Sequence, residues 1–357
     1  MGTEQTLESV VESRAMKNKI LHPAEPEEQK EIREPAAEYA RNKEIPTFFG
    51  QPMLKGSFGD LNTLVPHDVP FLFYKHPDGE IWVGDAIAWL GSLASESVDL
   101  IFADPPYNIK KAEWDTFESQ EQYVEWSLEW IEQAARVLKP IGTLYVCGFS
   151  EILADIKFAA SRYFKGCRWL VWHYKNKANL GSDWGRSHES ILHFRKSRQF
   201  TFNVDDVRIP YGDNTLKYPE HPQAESSQYG KGNGSKDRLW LPHPRGAKPR
   251  DVIEIPTMCN GMHEKTAHPT QKPEELVRTL VLASSNVGDL IVDPFLGSGT
   301  TVVVAEQLDR KWKGCDISPE YCQWAAQRIE LVEDWPIDKW IQYDLENAGR
   351  RKSIRSW

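Results

Sequence analysis

Cysteine is scarce in this 357-residue sequence, and what there is stands alone. Cys147, Cys167, Cys259, Cys315 and Cys322 form no C-x-x-C pair and have no histidine cluster at zinc-ligand spacing. That argues against a disulfide framework or a cysteine-built metal site and reads as reduced, buried thiols in a cytoplasmic protein. Long apolar runs are missing too. No segment approaches the roughly 20 apolar residues of a membrane-spanning helix, and the polar, acidic N-terminus does not read as a secretory signal. Positive charge is also short, since 43 Lys and Arg face 52 Asp and Glu for a net charge of -9. The average hides a divide: residues 162–272 hold 19 Lys and Arg against 11 Asp and Glu, leaving 24 against 41 elsewhere. A basic segment inside an acidic chain points to a polyanionic partner more than overall charge does, although a solvated lysine-rich loop gives the same figures.

With 40% apolar content, the length suffices for one large α/β domain with an insertion or for two ordinary domains. Residues 1–65 are charged and proline-punctuated, and are expected to form a flexible or peripheral arm. From Phe71 the pattern changes. "PFLFYKHPDGEIWVGDA" predicts two strands around a His-Pro-Asp-Gly turn, and "IAWLGSLA" a short helix. Next come a strand at Val98–Ala103 and a helix with Val124, Leu128, Ile131, Ala135 and Leu138 at helical spacing, stopped by Lys-Pro. "GTLYVCG" reads as a strand, "SEILADIKFAASRYF" as a helix, and "CRWLVWHYK" and "ESILHFRK" as two further strands. After polar loop material to about residue 264, "HPTQKPEELVRTLVLASS" predicts a helix with proline near its start. "DLIVDPFLGSGTTVVVAEQLDRKWKGCDIS" then predicts strand, loop, helix and strand. A last helix is expected over about 319–331, with "GRRKSIRSW" as a frayed basic tail. Such alternation implies a mainly parallel sheet.

Two loops carry the chemistry. In "VDLIFADPPYNI", an apolar strand stops at two prolines, which fix φ, remove donors and so display Asp104 and Tyr107 rigidly at a strand's C-terminal end. Ligands of open α/β sheets bind at such ends. In "LIVDPFLGSGTT", a strand ends on Asp293, and a bend with Gly297 and Gly299 leads into a helix opening at about Thr300. Glycines there let the backbone approach a ligand closely, and the helix N-terminus favours a negative group. A dinucleotide fingerprint needs a third glycine where Val302 stands, and a P-loop needs a lysine that is absent. Asp316, ending the next strand, is placed to accept from ribose hydroxyls. An adenosine-like ligand without a cradled pyrophosphate fits these features, and S-adenosylmethionine is one.

Together, "DPPY" at 104–107 and "DPFLGSGTT" at 293–301, with "HPTQKP" between them, resemble the DNA amino-methyltransferases of the permuted class β. The similarity covers about Phe71 to Glu330. It implies an α/β, Rossmann-like methyltransferase fold: a mostly parallel sheet with helices on both faces, permuted motif order and a loop-rich target-recognition insert. The implied organisation is a catalytic half at 66–204, the insert at 205–264, a cofactor-binding half at 265–335 and a tail at 336–357. The family's cofactor half needs three strands and this stretch supplies two, ending on Asp293 and Asp316, so the third would be the early strand ending on Asp85.

By this resemblance Asp104, Pro105, Pro106 and Tyr107 are the catalytic residues, with no metal. Asp104 and the Pro105 carbonyl would accept both hydrogens of an exocyclic amine, localising its lone pair towards the methyl donor, while Tyr107 faces a flipped base. S-adenosylmethionine would be held by Asp85, Asp104, Thr270, Lys272, Asp293, Phe295, Gly297, Ser298, Gly299, Thr300, Asp316 and Ile317. Thr270 and Lys272 are assigned to its methionine part, and His268 to packing or hydrogen bonding. For double-stranded DNA the candidates are Asn176, Arg186, Lys231, Lys236, Arg238, Arg245, Lys248 and Arg250, with Trp184 nearby. A homodimer is carried over from the family. The expected target is adenine N6, with cytosine N4 as the alternative because that branch more often carries serine at position 104. An RNA or protein-amide methyltransferase, or a non-catalytic DNA-binding regulator, are the remaining alternatives.

Overall fold

The computed structural model describes residues 47–48, 51–52, 69–108, 115–174, 184–219, 221–222, 239–259, 262 and 264–353. The chain divides into units at 1–55 and 56–357. Of the expected N-terminal arm at 1–65, the described residues are the antiparallel pair Thr47–Phe48 and Gln51–Pro52.

The second unit is built on a nine-stranded sheet. Its strands are β1 (Phe71–Lys75), β2 (Gly79–Val83), β3 (Val98–Ala103), β4 (Leu138–Gly148), β5 (Gly166–His173), β6 (His188–Arg195), β7 (Val252–Glu254), β8 (Leu290–Asp293) and β9 (Lys311–Asp316). Across the sheet the order is β7-β5-β6-β4-β3-β8-β9-β2-β1. Five of the eight neighbouring pairs are parallel, including every pair from β4 to β2. The early strand β2 lies beside β9, with Val83 opposite Asp316, as the permuted reading requires. One departure from simple alternation is β6, which runs antiparallel to both β4 and β5. A strand pair joined by a loop needs no helical crossover, so it closes as a hairpin.

Helices α1 (Ala86–Ser92), α2 (Gln120–Val137) and α3 (Ser150–Ala160) share one core with alternate sheet residues Ile101, Ala103, Leu144 and Val146. On the other face, Tyr145 shares a 2.7 Å hydrogen bond with Ser284 of α5 (Glu274–Ser284), counting the short α4 (Asp213–Lys217) before it. The helices α6 (Thr300–Gln307) and α7 (Pro319–Ile329) follow. Side chains alternate across a strand, so these contacts place helices on both faces.

One sequence expectation needs completing and another correcting. Of the positions expected on the apolar face of α2, Ile131, Ala135 and Leu138 are buried and Val124 and Leu128 partly so, and Tyr123, Ser127, Trp130 and Ala134 are buried beside them. Trp130 packs edge-on against Phe295, so large rings share the space above the sheet with the aliphatics. At the C-terminus the expected tail is a helix, α8 (Ile337–Ser353). It is docked by buried Trp340 and by Asp344, which takes a 2.7 Å hydrogen bond from the buried Arg278. Residues 354–357 lie outside the described residues.

Asp99, the one polar residue in β3, explains itself in three dimensions. It accepts from Lys139 at 2.8 and 2.9 Å and from the Leu290 amide at 2.9 Å, joining β3 to β4 and to the start of β8. A buried carboxylate needs such partners.

Candidate active site

Strands β3, β8, β9 and β2 are parallel, so their C-terminal ends meet at one edge, and each is followed by or ends on a carboxylate: Asp104, Asp293, Asp316 and Asp85. A cavity of about 290 Å³ opens there, lined by both sequence motifs. From the first come Asp104, Pro105, Pro106 and Tyr107; from the second Asp293, Phe295, Gly297, Ser298 and Thr300. Asp85, Thr270, Lys272, Asp316 and Ile317 also line it. Gly299 does not.

At the catalytic corner, side chains hold one another. The Tyr107 hydroxyl lies 2.7 Å from Asp104 Oδ1 and 3.1 Å from Glu189 Oε2, a residue of β6. Lys272 Nζ donates to Asp104 Oδ2 at 2.6 Å and sits 3.5 Å from Glu189 Oε2. Burial, then the carboxylates of Asp104 and Glu189, raise the Tyr107 hydroxyl well above the ordinary tyrosine range, so it stays protonated. For Lys272 burial opposes the charge, but Asp104 and Glu189 outweigh it and hold the ammonium above the ordinary lysine range.

The loop itself is pinned from outside. Asp115 accepts from the Tyr107 amide at 2.6 Å, and Asn108, in the left-handed region at φ 56°, accepts from the Phe117 amide at 2.9 Å. Tyr123 donates to the Pro106 carbonyl at 2.5 Å, which leaves the Pro105 carbonyl as the acceptor the amine clamp would use. Phe149 meets the Tyr107 ring edge-on at 5.0 Å, and the Arg186 guanidinium lies 3.8 Å from the centre of the Phe149 ring.

The glycine-rich loop is organised differently, by backbone. Asp293 accepts from the Phe295 amide at 3.0 Å and from the Thr301 hydroxyl at 2.5 Å, so it spans its own loop. Burial raises its carboxyl to about 7 against those two bonds, with Asp104 and Asp316 adding to the rise. Asp316 accepts from the amides of Gly297 (2.8 Å) and Ser318 (2.9 Å); burial nevertheless lifts it to about 6. Gly297 and Gly299 have φ of 50° and 80°, a conformation that costs L-residues free energy. A Cβ on Gly299 would come within 2.8 Å of the Ala325 backbone in α7, so this glycine serves close packing beneath the cavity rather than its lining.

His268 is neutral, since burial lowers it to about 4, and its ring packs on Gly297 and edge-on against Tyr321. That is the packing role expected of it. Thr300 donates to the Lys272 carbonyl at 3.2 Å, joining "HPTQKP" to the glycine loop. Arg328 ties Ser298 to Glu274 with bonds of 2.8 and 2.7 Å. Asp85 caps α1 through the Ala88 amide at 2.9 Å while facing the cavity.

These contacts fit S-adenosylmethionine by the chemistry of the donor set. Asp316 and Asp85 offer acceptors for the ribose and adenine end, Phe295 and Ile317 apolar surface, and Thr270, Ser298 and the N-terminus of α6 polar groups for the amino-acid end. Lys272, expected at that last end, directs its ammonium to Asp104 instead.

Among the DNA candidates, Asn176, Lys231, Lys236 and Arg238 lie outside the described residues. Arg186 pairs with Glu151, and Arg245 with Asp205 and Asp206. Lys248 and Arg250 are exposed, as is Trp184. Sequence reasoning missed Glu189, Asp115, Phe149, Glu274 and Arg328. Glu189 gave no signal, standing second in a strand that also carries His188, Ser190, His193 and Arg195.

The description "DNA methylase" matches residues 98–328 of the chain. M.HpaI, a type II methyltransferase of Haemophilus parainfluenzae, is 35% identical over 71% of this chain and 74% of its own length. DNA adenine methyltransferase YhdJ of Escherichia coli is 33% identical over 74% of this chain and 87% of its own. Among solved structures, the cytosine-N4-specific PvuII DNA methyltransferase aligns over 76% of this chain and 93% of its own with a TM-score of 0.55 and 21% identity, a likeness of fold.

Proposed function

This chain belongs to the DNA methylase family of N6- and N4-directed enzymes, and from that premise we propose that it transfers a methyl group from S-adenosylmethionine to the N6 amine of an adenine in duplex DNA. The observation that carries the reading is the single cavity onto which Asp104 and Asp316 both open.

An amine conjugated to an aromatic ring is a poor nucleophile because its lone pair is delocalised. Asp104 and the Pro105 carbonyl, fixed by the prolines and by the bonds to Asp115 and Tyr123, are preorganised acceptors for its two hydrogens. As they take those hydrogen bonds, the lone pair gathers on nitrogen. Tyr107, held by its hydroxyl, presents its ring to a base turned out of the stack, which chemistry inside a duplex requires. S-adenosylmethionine, when bound, supplies the electrophilic methyl group. Asp316 and Asp85 would hold its nucleoside end, and Thr270, Ser298 and the α6 N-terminus its amino-acid end.

Recognition belongs to the basic segment, with Lys248 and Arg250 as phosphate or base contacts from the insert at 205–264. Adenine is preferred over cytosine because position 104 is aspartate. The same reading places the enzyme in the cytoplasm, working on nucleoid DNA, with a homodimer as its assembly. Among the described residues no helix is long and apolar enough to cross a membrane.

The test is to incubate unmethylated bacterial duplex DNA with methyl-labelled S-adenosylmethionine and digest it to nucleosides. Label in N6-methyldeoxyadenosine is the expected result. Label in N4-methyldeoxycytidine establishes the alternative, and label in neither overturns both.

A further inference from the structure

We propose that Glu189 is a positioning residue of the methyl-transfer site, sharing Lys272 and Tyr107 with Asp104 so that Asp104 keeps an effective negative charge for the target amine. The inference rests on the amine-clamp reading above and goes beyond it to a residue outside the three sequence motifs quoted above.

In this site both oxygens of Asp104 are engaged, Oδ1 by the Tyr107 hydroxyl at 2.7 Å and Oδ2 by the Lys272 ammonium at 2.6 Å. A buried aspartate in contact with one buried ammonium forms a neutral pair, and a neutral pair is a weak acceptor for an amine hydrogen. Glu189 changes that balance. Its Oε2 lies 3.1 Å from the same hydroxyl and 3.5 Å from the same ammonium, so two carboxylates share one ammonium. The carboxylates of Asp104 and Glu189 are equally sheltered, each 17% exposed, and the lysine between them is 7% exposed, so the surrounding water screens the charges poorly. The tyrosine hydroxyl has one proton and two carboxylates facing it, and Lys272 has three protons and the same two carboxylates. Either donor can lean towards Glu189 when Asp104 takes the substrate hydrogen, without leaving a buried polar group unpaired. Position on β6, paired with β4 and β5, fixes the backbone from which this second carboxylate projects.

Two substitutions separate charge from shape. Glu189→Gln keeps the length and can still accept from Tyr107, but loses the charge; Glu189→Asp keeps the charge and shortens the reach. Single-turnover methyl transfer into unmethylated duplex DNA, cofactor dissociation constants and melting temperatures are measured for both. The expected order of rate is Glu, then Asp, then Gln, with Gln slower by roughly tenfold to a hundredfold and cofactor affinity changed less than about threefold. A Gln variant as fast as wild type, or faster than the Asp variant, overturns the inference. Should the Gln variant not fold, an Asp variant with unaltered rate does the same. Wild type without any label transfer overturns the amine-clamp reading itself, whereas an active wild type with an equally active Gln variant overturns only the role of Glu189.

Discussion

The two walls of the cavity are built from different materials. On the cofactor wall, Asp293 and Asp316 are bound chiefly by backbone amides of their own or the neighbouring loop, and the chain reaches that shape through two glycines at positive φ. On the catalytic wall, Asp104 is bound by side chains drawn from three separate segments: Tyr107, Lys272 and, through both, Glu189. A backbone cradle depends on local conformation and tolerates changes of charge. A side-chain clamp depends on charge and tolerates little. The walls should therefore fail separately, and in different ways.

The largest expected effect is on the clamp. Asp104→Ala should lower the methyl-transfer rate by at least about a thousandfold, because it removes the preorganised acceptor, while calorimetry finds cofactor affinity within about threefold. Substantial turnover by this variant would end the distinction, since the amine would then need no clamp. Next comes the cradle. Gly299→Ala places a Cβ against the Ala325 backbone at a φ of 80°, and should cost about 1–3 kcal/mol, seen as a drop in melting temperature together with weakened cofactor binding. An unchanged melting curve would show that the loop relaxes freely.

A smaller effect tests whether charge matters on the cofactor wall. Asp293 is lifted to about 7 in the folded protein, above its ordinary value of 3.8. The folded state therefore binds this proton more tightly than the unfolded chain does, so the contribution is present at low pH and is lost as pH rises from about 4 through about 7. Asp293→Asn should flatten the fall in melting temperature over that window. A variant as pH-sensitive as wild type would contradict the assignment. Smallest of all, Lys248→Ala with Arg250→Ala should weaken binding of duplex DNA several-fold and reduce its salt dependence, without changing cofactor affinity. Lost cofactor affinity would mean that the insert supports the cradle.

This division of materials also decided what could be read in the sequence. The cradle was legible because a strand, a glycine bend and a helix N-terminus are local events, and Gly297, Gly299 and Thr300 stand where their periodicity and spacing put them. The DPPY corner was legible for the same reason, and the return of β2 to the side of β9 through the family resemblance, whose cofactor half needs a third strand. Glu189 was not, because its function exists only once β6 lies two strands from β3 across β4, and nothing near it in sequence requires a carboxylate. The α2 stripe was read only in part, because aliphatic spacing was weighed above the rings of Tyr123 and Trp130. The C-terminal helix was missed for a similar reason: Trp340 and Asp344 find their partners on α5, and a local reading sees only a polar, charged stretch.

The central claim is spatial: the methyl donor and the target amine meet in the one cavity between Asp104 and Gly297. Crystals grown with S-adenosylhomocysteine test it most directly. The ligand is expected in that cavity, with its ribose against Asp316 and its sulfur turned towards Asp104. A ligand seated elsewhere on the chain, or a cavity still empty at saturating concentration, would contradict it.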